Sequence, residues 1–406
     1  MSHGHTDVLV IGAGIIGAAC AHELALAGLS VRVVDARLGG ATQTGMGHLV
    51  AMDAHPAELA LSAASLEIWR EWGPRMNHTD PACAYTGCGT MWVAESDHDM
   101  AEAECKQRRL LEHGVSSTLL NAQQLAQAEP ALRAGLAGAL QVSGDALIYA
   151  PSAARWLLTH APPCLSFEAV EVCKIDAQGV VLSDGSRRTA EAIVLAAGML
   201  ASRLCDDLPL HPKKGHLAIT DRYPTGIRHQ LVELGYTAST QQREGAAVAF
   251  NVQPRPTGQL LIGSSRQIGD QQYAAGSAAG SAASSAASSA SSSAAGSAPD
   301  TALTPAVEPA VLASMLRRAI GYLPGLSGLN LIRTWTGVRA ATPDGLPLIG
   351  RHPSRDKLWL AVGHEGLGVT TAPATGRLLA ALMTGAATPL DPTPFAASRS
   401  FDEVTP

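Results

Sequence analysis

The chain has 406 residues, of which 46% are hydrophobic and 16% charged, so it is long enough and apolar enough to bury the cores of two domains. Its formal net charge of −6 gives no electrostatic case for nucleic acid or for an anionic membrane surface. No apolar run is long enough to span a bilayer and the first residues do not read as a signal peptide, so the expected place is the cytoplasm, with contact at the inner face of the membrane left open.

Val8 to Ile11 is a short apolar, β-branched run, and Gly12, Gly14 and Gly17 follow it in a GxGxxG pattern. A helical apolar period runs from Ile15 to Ala27, with Gly28 where a helix C-terminus favours it. Val31 to Val34 reads as a second strand, ending at Asp35. Strand, glycine turn, helix, strand and acid, with the acid about 20 residues on, suit a dinucleotide. Gly12 allows the tight turn, Gly14 lets backbone approach a pyrophosphate, and Gly17 lets helix and strand pack closely. The helix N-terminus would face the phosphates and Asp35 a ribose; an ordinary βαβ turn is the plainer alternative. The next stretch, with glycines 39, 40, 45 and 47 and threonines 42 and 44, offers backbone N–H groups to an anion or a ring, or is a simple connector.

Residues 56 to 76 read as a helix, Gly89 to Ala94 as a strand, and Asp97 to His113 as a helix with its charge outward. A capped short helix ends at Pro130, strands return near Gly138 to Gln141, and a helix restarts at 150 with Pro151 in its first turn. Leu165 to Ile175 reads as one strand, Val180 to Arg187 as a hairpin closing on Asp184-Gly185, and Ala192 to Gly198 as a buried strand ending at glycine. Residues 210 to 270 suggest a mostly antiparallel sheet, with Pro254 and Pro256 at a turn or edge. Residues 274–298 contain only Ala, Gly and Ser and read as a loop that buries no core, different enough from its surroundings to be an engineered insertion; a helix is expected over 307–322. Near the end, Leu358 to Val362 reads as a strand, with Gly363, Gly366 and Gly368 in a turn and a helix beginning near Thr370. This is a second strand–glycine–helix element, and a nicotinamide enzyme has no use for it.

The seven cysteines, at 20, 83, 88, 105, 164, 173 and 205, are odd in number and form no CxxC, so free thiols are expected and no metal site. His3 and His5 are expected in a frayed terminus with no chemical role.

The chain resembles the D-amino-acid-oxidase-like family of FAD amine oxidoreductases, which includes glycine and sarcosine oxidases. The resemblance rests on VLVIGAGIIGA, IVLAAG, GVRAATPDGLPLIG and GHEGLGVTTAPATG, and covers nearly everything but the 274–298 tract. Within the family, GATQTGMGHLVAMD, ELGYTAST and FNVQPRPTGQLLIGSSRQ are most similar to the flavoprotein (β) subunits of D-hydroxyproline dehydrogenase. The fold implied is α/β with an α+β part: a Rossmann-like FAD/NAD(P)-binding domain built from discontinuous segments (1–80, 145–212 and 335–406) and an antiparallel-sheet substrate domain (81–144 and 213–334). The implied reaction is hydride transfer from the amine-bearing carbon of a D- or cyclic amino acid to the flavin. Cis-4-hydroxy-D-proline or D-proline is the expected substrate, and a pyrroline carboxylate the product. The alternatives are a glycine or sarcosine oxidase that makes peroxide, and a FAD-bearing subunit that only relays electrons. The subgroup resemblance suggests a quinone or a partner subunit as acceptor.

The resemblance also assigns residues. Arg339, whose planar fork suits a carboxylate, is the expected substrate clamp, with an ordinary salt bridge as the alternative. Asn251 and Tyr236 are expected at the substrate, the latter otherwise a core tyrosine. His48 and His364 flank the glycine loops and either touch flavin or substrate or are structural. Glu365 receives no role. The ADP part falls to Gly12, Gly14, Ile15, Ile16, Gly17, Asp35 and Ala36. Thr42, Thr44, Gly45, Met46, Gly47 and His48 would run along the flavin. Val172 would meet the adenine, and Ala197 and Gly198 the pyrophosphate. Gly363, His364, Gly366, Leu367, Gly368, Val369 and Thr370, with Arg339, would cradle the ring end. Sarcosine oxidases attach flavin through a late cysteine, and the last cysteine here is Cys205, so noncovalent FAD is implied.

Overall fold

The computed structural model describes residues 6–235, 246–268 and 305–401. Tyr236, His3, His5 and the 274–298 tract lie outside the described residues.

β-branched runs flanked by glycine form the central strands of a six-stranded sheet. Its order is Leu348–Arg351, Leu358–Val362, Ala192–Leu195, Val8–Ile11, Val31–Val34, Leu165–Glu168. The strands run parallel except at the Leu348–Arg351 edge. Val8–Ile11 is wholly buried: Val8 and Val10 pack with the helices on one face, and Leu9 and Ile11 pack on the other with Val172, Val180 and Leu182 of a small three-stranded sheet. The helix Ile15–Leu26 is buried on nearly every side, as an all-round apolar helix must be. It crosses the last helix, Gly368–Thr384, at a glycine: a Cβ on Gly376 would stand 2.6 Å from the Ala19 carbonyl oxygen. The helix Pro56–Thr79 packs on the same partner, and buried Trp69 donates its indole N–H to the Thr370 carbonyl at 2.9 Å.

The second large sheet has eight strands, in the order Leu331–Ala341, His211–Thr220, Leu260–Ile268, Ala247–Pro254, Gln230–Glu233, Thr90–Ala94, Gly138–Val142, Thr118–Asn121. All its pairs are antiparallel except Gln230–Glu233 with Thr90–Ala94. A two-stranded ladder of His48–Leu49 with Ala146–Leu147 brings the loop after the nucleotide unit close to it. No described helix is long and apolar enough to cross a membrane.

Three local expectations change. Leu165 to Ile175 is two strands in two sheets: Leu165–Glu168 closes the parallel sheet, and Val172–Asp176 pairs with Gly179–Leu182. The connector after Asp35 contains a helical turn, Ala41–Thr44. The eleven-residue strand Leu331–Ala341, not anticipated from its mixed sequence, spans residues 334 and 335, where a domain boundary was expected.

Candidate functional site

A cavity of about 960 Å³ runs between the two sheets, from Asp35 and Val172 at one end to Asn251 and Arg339 at the other. Its volume suits a dinucleotide with a small second ligand. At the first end Gly12 has φ +107°, and a Cβ there would stand 2.5 Å from the Ala196 carbonyl oxygen, so the turn admits no side chain. A Cβ on Gly17 would stand 2.0 Å from the Gly12 carbonyl oxygen. Gly17 therefore acts by close packing and does not line the cavity, unlike Gly12, Gly14, Ile15 and Ile16.

Asp35 accepts the Ala13 N–H at 2.7 Å and the Arg37 N–H at 2.6 Å, which locks the acid beside the glycine turn. A carboxylate has lone pairs left for a ribose after two such bonds. Thr42 Oγ1 accepts the Ile15 N–H at 2.9 Å and so ties the following loop to the helix N-terminus. Ala36, Ala197 and Gly198 also line this end. The bare glycine turn, the helix N-terminus behind it and the locked acid fit the ADP half of FAD.

Thr44, Gly45, Met46, Gly47 and His48 line the middle of the cavity, opposite Gly363, His364, Gly366, Gly368 and Val369. Leu367 and Thr370 do not line it, contrary to expectation. Thr370 is structural: its hydroxyl donates to the His48 carbonyl at 3.0 Å. His364 is buried, with Nε2 3.1 Å from Thr375 Oγ1, and burial pushes its pKa down to about 3. It is a neutral, satisfied imidazole at the cavity wall. His48 is also held neutral, its pKa pushed down to about 4 by burial against the partial counterweight of a hydrogen bond with Gln230.

Arg339 sits on the long strand Leu331–Ala341, and its Nη1 donates to the Ser265 carbonyl at 3.3 Å. No carboxylate is bonded to it among the described residues, so the salt-bridge alternative is not what the structure shows. Its neighbours were missed at the sequence level. Arg266 Nη2 lies 2.5 Å from Glu365 Oε1, and Lys213 Nζ lies 3.2 Å from Glu365 Oε2. Burial would raise the Glu365 pKa, but Arg266, Lys213 and Arg339 overcome it and hold the carboxyl below its usual range. Three cations around one anion leave this end of the cavity positive, as a site for a carboxylate should be. Charged residues on strands read as a solvated face, and only the sheet register brings these together.

Asn251 is buried at the same end, with Nδ2 2.9 Å from His48 Nε2. Gln230, also missed, meets His48 Nδ1 through Oε1 at 2.5 Å. A buried glutamine in a short apolar strand carries no sequence signal of chemistry.

Away from the cavity, Cys205, Asp207 and His352 cluster with metal-like proximity. His352 Nδ1 accepts the Ser354 N–H at 3.2 Å, so the proton sits on Nε2, 3.3 Å from Asp207. A cation would need that nitrogen bare, and the Arg355 guanidinium lies 3.4 Å from the same aspartate. The cluster is a hydrogen-bond network. The seven cysteines are free.

A family profile described as DAO, FAD dependent oxidoreductase, matches residues 7–382. Glycine oxidase of Geobacillus kaustophilus is 28% identical over 426 aligned residues, covering 100% of this chain and 99% of that protein. Its crystal structure superposes with a TM-score of 0.78 over 98% of this chain and 100% of that one, at 24% identity. Hydrogen cyanide synthase subunit HcnC of Pseudomonas aeruginosa is 26% identical, covering 97% of this chain and 96% of that one. L-proline dehydrogenase from P. horikoshii superposes with a TM-score of 0.78, covering 97% of each chain, at 21% identity. With a profile match across nearly its whole length and a cavity whose glycine cradle fits the ADP half of the cofactor, the chain belongs to the DAO family of FAD dependent oxidoreductases.

Proposed function

We propose that the chain oxidises the carbon–nitrogen bond of a small amino acid, with cis-4-hydroxy-D-proline or D-proline as substrate and a pyrroline carboxylate as product. The observation that carries this reading is the Arg339 guanidinium at the end of the cavity opposite the glycine turn, with no carboxylate bonded to it among the described residues. An arginine there takes a substrate carboxylate through two parallel hydrogen bonds.

When bound, FAD supplies the hydride acceptor. Gly12, Gly14 and Asp35 would hold its ADP half, and the Thr44–Gly47 and Gly363–Val369 stretches its ring end. The chain itself binds and orients. Arg339, with Arg266 and Lys213 around Glu365, draws the acid group to one end and so fixes where the amine-bearing carbon lies. His48 and His364 stay neutral near neutral pH and deliver no proton there. Hydride loss needs the amine itself neutral, so the substrate amine sheds its proton before reaction. The likeness to HcnC, a subunit by name, supports a partner subunit as the next electron acceptor.

The full-length likeness to glycine oxidase favours a second reading, an oxidase for glycine or sarcosine that releases peroxide. Anaerobic mixing of the FAD-loaded chain with D-hydroxyproline, D-proline, glycine and sarcosine tests both. Loss of the yellow absorbance with the cyclic amino acids supports the first reading. Bleaching only by glycine or sarcosine, with peroxide on admitting air, supports the second. Flavin left oxidised by the whole panel overturns both.

A further inference from the structure

We propose that a relay, Gln230–His48–Asn251, turns the Asn251 carboxamide oxygen toward the ligand end of the cavity as a hydrogen-bond acceptor, so that the site selects amino acids whose nitrogen still carries an N–H. The inference rests on the amino-acid reading above.

The relay starts from an atom whose character is fixed. The Ala146 carbonyl can only accept, and Gln230 Nε2 lies 3.0 Å from it and 3.3 Å from Thr90 Oγ1. The amide nitrogen of Gln230 therefore points to Ala146, and its Oε1 points the other way, to His48 Nδ1 at 2.5 Å. Gln253 Nε2 also donates to that oxygen, at 3.5 Å. An oxygen that only accepts requires His48 to carry its proton on Nδ1. The imidazole is neutral, so Nε2 is bare and must receive a donor. That donor is Asn251 Nδ2 at 2.9 Å. The Asn251 amide cannot flip without setting its oxygen against a bare nitrogen. Its Oδ1 is buried and has no hydrogen-bond partner among the described residues, while Asn251 lines the cavity at the end that holds Arg339.

A buried carbonyl without a partner is costly until a ligand supplies one. Primary and secondary amino acids bring an N–H as neutral amines. N,N-dialkyl amino acids do not, and they leave Asn251 Oδ1 unsatisfied. Asn251 is the contact, and His48 and Gln230 are positioning residues that act through it.

Two planar acids of nearly one shape test this: pyrrole-2-carboxylate, which carries a ring N–H, and 2-furoate, which carries a ring oxygen. Binding to the FAD-loaded chain is read from the perturbed flavin spectrum. Wild type should prefer the pyrrole by about 10–100-fold, the range for satisfying against orphaning one buried acceptor. Asn251→Leu should abolish the preference. Gln230→Met, which removes the acceptor that fixes His48, should bring it towards unity. Histidine-labelled wild type should show His48 protonated at Nδ1 by nitrogen chemical shift, a measurement that needs no variant. Equal binding of the two acids to wild type, or the Nε2 tautomer, overturns the relay while leaving the amino-acid reading intact. Failure of both acids to bind overturns both.

Discussion

Lys213 and Arg339 lie directly opposite each other on neighbouring antiparallel strands, two like charges in one cross-strand pair. Such a pair is destabilising unless something neutralises it, and Glu365 does so, 3.2 Å from Lys213 and 2.5 Å from Arg266. Replacing Glu365 with Gln leaves these cations unbalanced in a mostly buried site. The expected outcome is a loss of about 3 kcal/mol in urea denaturation, the usual cost of orphaning a buried ion. The folded pKa of Glu365 lies below its unfolded value, so this stability is present above the unfolded pKa and is lost as pH falls through the folded one.

Arg339→Met should remove the carboxylate clamp and leave the fold. Truncating one partner of a desolvated charge pair costs about 2–5 kcal/mol of binding. Titration of the FAD-loaded variant with 2-furoate checks this. Unchanged affinity would count against the clamp.

Gly215→Ala should weaken the same binding indirectly. A Cβ there would stand 2.6 Å from Arg339 Nη2, the far end of a long side chain that can move aside. FAD loading should persist while KM for the amino acid rises about 10–100-fold, since small displacements of a positioning group are costly. Steady-state kinetics separate this from a folding defect.

Asp145 is buried, and its pKa is pushed up to about 7 by burial, with hydrogen bonds from Thr90 and the Ala51 N–H opposing. A carboxyl with its folded pKa above the unfolded value confers stability at low pH and loses it as pH rises through that window. Asp145→Asn should therefore gain on wild type between pH 4 and pH 8, by on the order of 4 kcal/mol. Denaturation at both pH values checks the sign.

His364 acts in the opposite direction. Its folded pKa, about 3, lies below the ordinary histidine value. Its contribution is present above pH ~6.5 and shrinks as pH falls, by roughly 3 kcal/mol at pH 4. His364→Asn should flatten that slope in denaturation curves between pH 7 and pH 4.

The nucleotide unit was legible because its glycines and β-branched runs act locally: Val8–Ile11, Ile15–Leu26 and Val31–Val34 lie where the periodicity puts them, within a residue. The strand Leu331–Ala341 was not, since its first residues are exposed and only its second half alternates. Leu165 to Ile175 misled because two short strands adjoin with no glycine or proline between them. Arg339 and Asn251 were reached by resemblance. Gln230, Arg266 and Lys213 were not reached, because their meaning lies in which strands neighbour each other.

Gly215 and Gly337 face each other in register, so the eight-stranded sheet has two adjacent bare positions. Thr44 Oγ1 would stand 2.2 Å from a Cβ on Gly337, as the Arg339 guanidinium would from one on Gly215 at 2.6 Å. The sheet thus keeps a notch, into which the loop that would follow the flavin and the group that would grip the amino acid both lodge. A side chain at either position would push one of them out, so the cofactor groove and the grip on the acid both depend on a single pair of glycines staying bare.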